Sequence, residues 1–321
     1  MIFLTSIILF TQIFDPGATG YTFLKLGIGV RPVAMGNAFT ALSDDGNAIF
    51  WNPAGLGIVE GYYVSGMAMN HLEYFNYYNL TSAIPFGKKH AGIGVGISYL
   101  TATDIEYSER GEEIGEFRNS DMLLNIGYGK ANRHKSFSFG AAVKVVRSQL
   151  YTYSSYGVLG DIGIIINPFK YVYLGTVLKN VGTPRRFIER WECPPLNFRQ
   201  GLAVKVPFGQ NQCAVSIDYS VYPDINPTYS IGGEVRIRSP QLIEALAQGK
   251  ISGFTIMGGY QSGYESGGWS GFSLGFSVEV LIGEGLVFDI AGLLLSYGYL
   301  GTSERIALGL HYVPTRARAK K

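Results

Sequence analysis

The 321-residue sequence is poor in charge and in long apolar runs. Only 16% of its residues are charged, against about 25% in soluble domains. Together with 47% hydrophobic residues, this excludes a disordered chain. The 26 basic and 24 acidic residues nearly balance, so no nucleic-acid partner is expected. No run after the N-terminus reaches the ~20 apolar residues of a membrane-spanning helix, which excludes a polytopic helical membrane protein.

Cysteine and histidine are scarce as well. Cys193 and Cys213 have no metal-binding or redox spacing, and the four histidines form no cluster. A GxSxG match at residues 271–275 lies within an alternating strand pattern, whereas a nucleophile elbow needs a strand, a turn and a helix. The acidic residues of 104–116 lack the fixed oxygen spacing of a calcium loop. We therefore predict no catalysis, no metal and no cofactor.

Glycine and aromatic residues are abundant, with 43 glycines, 22 tyrosines and 19 phenylalanines. From about residue 60 onward, large apolar residues alternate with small ones; Leu274 and Phe276, for example, are flanked by Ser273, Gly275 and Ser277. Because successive side chains of a strand point to opposite faces, one face is apolar and the other is small and polar. A soluble β-sandwich or propeller would carry many Lys, Glu and Thr side chains on its polar face. A membrane barrel is favoured, with Leu274 and Phe276 facing lipid.

About fourteen alternating segments of about ten residues follow one another, each long enough for a tilted strand to cross a membrane. We predict an all-β fold, a transmembrane antiparallel up-and-down β-barrel of about 14 strands over residues 60–314, with a basic tail at 315–321. Tight turns follow even-numbered strands, and long connections at 102–119 and 182–195 follow odd-numbered ones. This asymmetry is typical of a barrel in the bacterial outer membrane, whose lipid would surround it. Residues 239–250 are expected to contain a short helix.

Two segments precede the barrel. Residues 1–20 form an apolar run with a turn-rich exit, which indicates a signal peptide, with a buried first strand or helix as the alternative. Residues 21–59 lack strand alternation and predict a compact element of helices and turns, with a short helix over 33–42 and Pro32 in its first turn.

The alternation also assigns charged residues to the barrel interior. Six of these residues are basic and five are acidic, which favours internal ion pairs over the single-sign field of an ion-selective pore. Because a barrel of about fourteen strands is too wide for small side chains to fill, we expect the N-terminal segment to lie inside it. The predicted interior charges are Lys144, Asp161, Lys179, Arg199, Lys205, Asp218, Glu234, Arg236, Glu279, Asp289 and Arg305.

Residues 24–56 read LKLGIGVRPVAMGNAFTALSDDGNAIFWNPAGL. This run resembles the opening signature of PorV/PorQ-type proteins, which belong to the FadL-like outer-membrane superfamily. The resemblance implies an N-terminal hatch, or plug, inside a fourteen-stranded barrel. The residues that it assigns to the plug are Phe39, Asp44, Asp45, Asn47, Trp51, Asn52, Pro53, Ala54 and Gly55.

The resemblance implies two functions. A PorV/PorQ-type barrel would be a non-enzymatic component of type IX-like protein export or surface attachment, with secreted cargo or secretion-system proteins as partners. The alternative is a FadL-like passive transporter of hydrophobic small molecules, such as long-chain fatty acids, with a hatch-gated lateral exit. A closed structural or adhesion barrel is a third hypothesis. An apolar tunnel through the plug would favour transport, and a sealed barrel with an exposed apolar ledge would favour protein partners.

Overall fold

The computed structural model describes residues 15–72, 74–86, 90–187, 189–238, 251–264 and 266–312. Within them, fourteen antiparallel strands form a closed barrel in which each strand pairs with the next and the last pairs with the first. The predicted barrel fold is confirmed. The strands are β1 (Tyr62–His71), β2 (Phe75–Phe86), β3 (Ala91–Tyr107), β4 (Glu113–Ala131), β5 (Phe137–Leu150), β6 (Tyr153–Phe169), β7 (Val172–Gly182), β8 (Asn197–Phe208), β9 (Asn211–Tyr222), β10 (Ile225–Ile237), β11 (Ile251–Gln261), β12 (Phe272–Gly283), β13 (Leu286–Ser296) and β14 (Thr302–Tyr312).

The two faces of the barrel wall differ as the alternation predicts. Along β5, exposed and buried residues alternate almost without interruption. Leu274 is 64% exposed on the outer surface, and Phe276 lies on the same face. Because the outer surface of the closed sheet is covered with Ile, Leu, Val and Phe, the barrel sits in a membrane, and the fold is that of a bacterial outer-membrane protein. None of the helices in the described residues is long and apolar enough to span a bilayer.

Residues 19–59, here called the plug, are mostly buried inside the barrel. The plug contains α1 (Val30–Ala34), α2 (Ala48–Trp51) and the 3-10 turns Thr22–Lys25 and Pro53–Gly57. The helix predicted over 33–42 is wrong in extent. It ends at Ala34 because Gly36 and Asn37 have φ values of 61° and 65°, which no right-handed helix contains.

The barrel has a terminal end, where β1 begins and β14 ends, and an opposite far end. The long far-end loop predicted at 102–119 is wrong, since β3 and β4 continue through it as a two-stranded ribbon and leave a connection of 108–112. Apolar and charged residues are mixed on the outward face of this ribbon, where Ile105 and Ile114 stand beside Glu116 and Arg118, so its sequence lacks the lipid-face pattern. The other long connection lies at 183–196 and contains the two-residue ladder of Arg185–Arg186 with Trp191–Glu192.

Several predicted features fall outside the described residues. These are the helix within 239–250, the basic tail at 315–321 and the first fourteen residues of the signal peptide. The two cysteines are free, with Cys193 in the 183–196 connection and Cys213 near the terminal end of β9.

Candidate functional site in the plugged lumen

Trp51 lies at the buried centre of the plug. The centroid of its ring lies 6.1 Å from that of Phe39, and the two rings are arranged edge to face. Its Nε1 donates a hydrogen bond of 2.8 Å to the Ile28 carbonyl. Two cations of the barrel wall contact the same ring, Arg199 at 4.9 Å and Lys179 at 5.6 Å from its centroid. Two predicted plug residues and two predicted interior cations therefore meet at one place.

Asn52 connects two parts of the plug to each other and to the barrel wall. Its Nδ2 donates to the carbonyls of Thr40 at 3.0 Å and Ile164 at 3.2 Å. Its Oδ1 accepts the Ala54 N–H at 3.2 Å, which caps the 3-10 turn Pro53–Gly57. The NPAGL segment thus folds the plug and fastens it to β6.

The remaining motif residues shape the plug backbone. The Asn47 N–H donates to Asp45 Oδ1 at 2.8 Å. Pro53 occupies the first position of its 3-10 turn, where no N–H is needed. Gly55 lies so close to Ser43 that an added Cβ would come within 1.8 Å of the Ser43 carbonyl oxygen, so only glycine fits.

Arg31 is the centre of an ionic cluster that we call the latch. Its Nη1 lies 2.6 Å from Asp44 Oδ1 and 2.9 Å from Asp45 Oδ2 within the plug, and its Nε and Nη2 each lie 2.7 Å from Glu234 on β10. Lys205 on β8 forms an ion pair with Asp44. The latch therefore connects the plug to two strands of the wall. Arg31 was absent from the predicted site, although it stands within the motif.

Asp218 on β9 is a second anchor. Its Oδ2 accepts the N–H groups of Phe39 at 3.1 Å and Thr40 at 2.9 Å, and the Thr40 hydroxyl at 2.5 Å. Arg199 pairs with the same carboxylate at 3.0 Å. A fully buried acid thus holds the middle of the plug with both backbone and charged partners.

A third ion pair lies in the wall itself. Lys144 Nζ is 2.8 Å from Asp161 Oδ1 and 2.7 Å from Asn180 Oδ1. The Asn180 N–H donates to Asp161 at 2.8 Å, at the position where the register between β6 and β7 shifts. These buried polar groups replace the ladder hydrogen bonds that the irregular pairing loses.

A cavity of about 1030 Å³ occupies the lumen between the plug and the terminal end. Latch residues form part of its lining, and Arg236, Glu279 and Asp289 form another part. Arg236 and Arg238 approach Glu279 at 3.9 Å and 2.8 Å. Apolar side chains of both plug and wall complete the lining, so this terminal cavity is amphipathic.

At the far end, the start of the plug is clamped to the turn between β9 and β10. Lys25 Nζ and Thr19 Oγ1 each lie 2.6 Å from Asp224 Oδ2. Burial alone would raise the pKa of Asp224, but these hydrogen bonds and the Lys25 charge hold it below its ordinary 3.8. Sequence reasoning missed this clamp, because Asp224 stands in a turn and carries no alternation signal.

The predicted interior charges thus separate into two groups. Lys144, Asp161, Arg199, Asp218, Lys205, Glu234, Arg236 and Glu279 take part in ion pairs. Lys179, Asp289 and Arg305 form none with any described residue; Lys179 packs on Trp51, Asp289 faces the terminal cavity, and Arg305 binds the plug backbone.

Comparison with known proteins identifies the fold. The toluene transporter TbuX of Ralstonia pickettii superposes with a TM-score of 0.56 at 13% identity, over 89% of this chain and 97% of that one. The toluene transporter TodX of Pseudomonas putida superposes with a TM-score of 0.55 at 11% identity, over 94% of this chain and 99% of that one. A FadL homologue of Pseudomonas aeruginosa superposes with a TM-score of 0.50 at 10% identity, over 88% of this chain and 96% of that one.

No protein-family model matches the sequence, and no curated protein matches it significantly. At these identities the similarity is one of fold: the chain has the closed barrel of the FadL-like outer-membrane channels.

Proposed function

We propose that the protein is a passive channel for hydrophobic small molecules in the bacterial outer membrane, gated by the plug. The observation that carries this proposal is the latch. Charged and polar contacts hold the plug to the wall, and several of the residues that make them line the terminal cavity. Because water and solute groups can replace such contacts, the plug can shift while the barrel ladder stays intact.

The comparisons support transport rather than protein export. The structures that resemble this chain over most of its length include two toluene transporters. None of the neighbours named here is a secretion component, so secreted cargo and secretion-system partners have no support from the fold. A channel also fits the expectation of a protein without catalytic activity.

We assign the terminal end to the periplasm. Its turns at 170–171, 209–210 and 284–285 contain two residues each, and short turns are typical of the periplasmic side. A solute would enter at the far end, pass the displaced plug and reach the terminal cavity. The lateral exit remains a prediction; in the described residues each strand is paired on both sides.

A plug that can be locked reversibly tests the gate. The Ile49 Cβ lies 3.1 Å from the position of a Cβ on Gly94 in β3. A small shift of the plug away from β3 would give the ~3.8 Å of a disulfide and would also make room for the Leu56 side chain, which lies 2.8 Å from the same position. We would combine Ile49→Cys and Gly94→Cys in a chain with Cys193→Ser and Cys213→Ser, and measure toluene flux into proteoliposomes. Oxidation should lower the flux at least about tenfold, and reduction should restore it.

The Cys193→Ser, Cys213→Ser chain without the new cysteine pair is the matched control, and oxidation should not change its toluene flux. Equal flux in the oxidised and reduced locked chain would show that the plug does not gate the barrel. Flux no greater than that of protein-free vesicles would rule out the channel.

A protein partner at the far end is the second candidate. Four exposed apolar residues stand on three far-end loops and are here called the ledge: Tyr74, Trp269, Tyr299 and Leu300, with Tyr74 77% and Tyr299 89% exposed. Such a ledge is the feature that the export hypothesis requires. Affinity purification from native outer membranes would test it. A protein that co-purifies with the natural chain, but not with Trp269→Ser/Tyr299→Ser, would favour this candidate.

A further inference from the structure

Arg305 on β14 is a buried cation without a carboxylate partner. Its side chain is among the largest that are fully buried, with 2% of the residue exposed. No acidic side chain of the described residues pairs with it, whereas Lys144, Arg199 and Lys205 each have one. Burying an unpaired charge is costly, so the position indicates a group that binds something negative.

The partners that Arg305 does have are weak acceptors. Its Nη1 donates to the Gly27 carbonyl of the plug, and the Tyr297 side chain lies beside the guanidinium. Its Nε has no partner among the residues described. A neutral carbonyl therefore occupies the place where an oxyanion would bind a guanidinium more strongly.

Unused polar atoms surround the same place. Met69 on β1 lies opposite Arg305 on one side and opposite Tyr77 of β2 on the other. The fully buried Tyr77 hydroxyl and the His71 Nδ1 have no hydrogen-bond partner within the described part of the chain. A phenol and a guanidinium, both with unused donors, thus face the lumen from the two strands that flank β1.

The surroundings are aromatic, and the terminal cavity is adjacent. The Tyr297 ring lies 5.0 Å from His71 and 5.1 Å from Tyr264. The next inward residues toward the terminal end, Ala307 on β14 and Asn79 on β2, both line the terminal cavity. A ligand in that cavity would reach Arg305 by displacing the plug segment around Gly27.

We propose that Arg305, with Tyr77 and Tyr297, binds the oxyanion of a compact hydrophobic acid, which takes the place of the Gly27 carbonyl and loosens the plug. The inference rests on the proposed channel and narrows its solutes to molecules that bear a carboxylate or phosphate group. Aromatic rings beside the cation suit an apolar body, and the guanidinium suits the charged end.

Benzoate, toluene and inorganic phosphate are the probes, titrated into the detergent-solubilised full chain by calorimetry. Benzoate should bind more tightly than its neutral counterpart toluene. Arg305→Gln should weaken the binding of benzoate about ten- to a hundredfold, which corresponds to the loss of one charged hydrogen bond. It should leave the affinity for toluene unchanged. Arg147→Gln, which removes an exposed arginine of β5 outside the terminal cavity, is the matched control and should change neither affinity.

Tyr77→Phe keeps the ring and removes only the unpaired hydroxyl. It should weaken the binding of benzoate severalfold. If Arg305→Gln does not fold, this variant alone tests whether the site binds the carboxylate. Phosphate binding that depends on Arg305 would also support the site and would identify a free oxyanion as its occupant. Equal affinity for benzoate and toluene, or benzoate binding unchanged in both variants, would overturn the inference. Toluene flux in that case would leave the proposed channel intact.

Discussion

At the scale of single residues, Asn52 is a buried side chain that connects two parts of the plug to each other and to β6. It is fully buried and serves two carbonyls and one N–H. Asn52→Ala should lower the free energy of unfolding by about 1–3 kcal/mol, because buried acceptors lose their donor. Urea unfolding in detergent micelles, followed by tryptophan fluorescence, measures this. Asn76→Ala at an exposed position of β2 is the control, and an equal effect of both changes would contradict the assigned role.

Gly96 on β3 is a point of close approach between wall and plug. An added Cβ would lie 2.1 Å from the Phe50 ring, whereas the same atom on Gly160 would have no neighbour nearer than 3.6 Å. Gly96→Ala should therefore destabilise the plugged barrel by about 1–3 kcal/mol, and Gly160→Ala should have little effect. The same urea titration measures both. If Phe50→Leu fails to relieve the cost of Gly96→Ala, the clash with that ring is not its cause.

The sequence was informative about which charges face inward but not about their partners. Alternation places a residue on one face of a strand and is blind to the path of a chain inside the barrel. Arg31 and Lys25 lie in a segment without periodicity, so their pairing with Glu234 and Asp224 could not be predicted. Gly36 and Asn37 look helical in sequence, yet their left-handed backbone lets the plug turn inside the wall.

At the scale of elements, the clamp at Asp224 should be sensitive to acid. The pKa of Asp224 is lower in the folded protein than its ordinary 3.8. The clamp's contribution to stability is therefore fully present above about pH 4 and is lost as pH falls through the lowered pKa. A nitroxide on Thr22→Cys, in a chain without the natural cysteines, should gain mobility between pH 5 and pH 2.

Asp224→Asn is the matched variant for this titration. It removes the charge that attracts Lys25, so its nitroxide should already be mobile at pH 5 and should change little on acidification. A natural chain whose label shows the same mobility at both pH values would contradict the clamp.

The latch is the second element whose release can be measured. Arg31→Gln leaves Asp44, Asp45 and Glu234 with Lys205 as the one remaining cation of the cluster, so their repulsion should free the plug from β10. Amide hydrogen exchange over residues 28–48 should become about tenfold faster. Arg238→Gln, which leaves the latch intact, should not change this exchange. Unchanged exchange in Arg31→Gln would mean that apolar packing alone holds the plug.

At the scale of the whole molecule, the strand number and the lipid face were predictable because both follow from a two-residue period. The ribbon of β3 and β4 was not, because beyond the membrane its outward residues include charged ones, such as Glu116 and Arg118 on β4, which face water and lose the apolar signal. The length of that far-end connection was therefore overestimated, whereas the two-residue turns at 170–171, 209–210 and 284–285 still support the periplasmic assignment of the terminal end.

The same reasoning makes the lipid face testable at the middle of the barrel. Leu308 is 51% exposed on the outer surface near the centre of β14, opposite Gly66 on one side and Ile290 on the other. Leu308→Arg should lower the free energy of folding into bilayers by about 2–4 kcal/mol, because lipid tails cannot solvate the charge there. Tyr299→Arg, in a far-end loop outside the bilayer, should cost about 0–1 kcal/mol. Folding titrations in lipid vesicles measure both, and equal costs would mean that the outer surface of β14 does not face lipid.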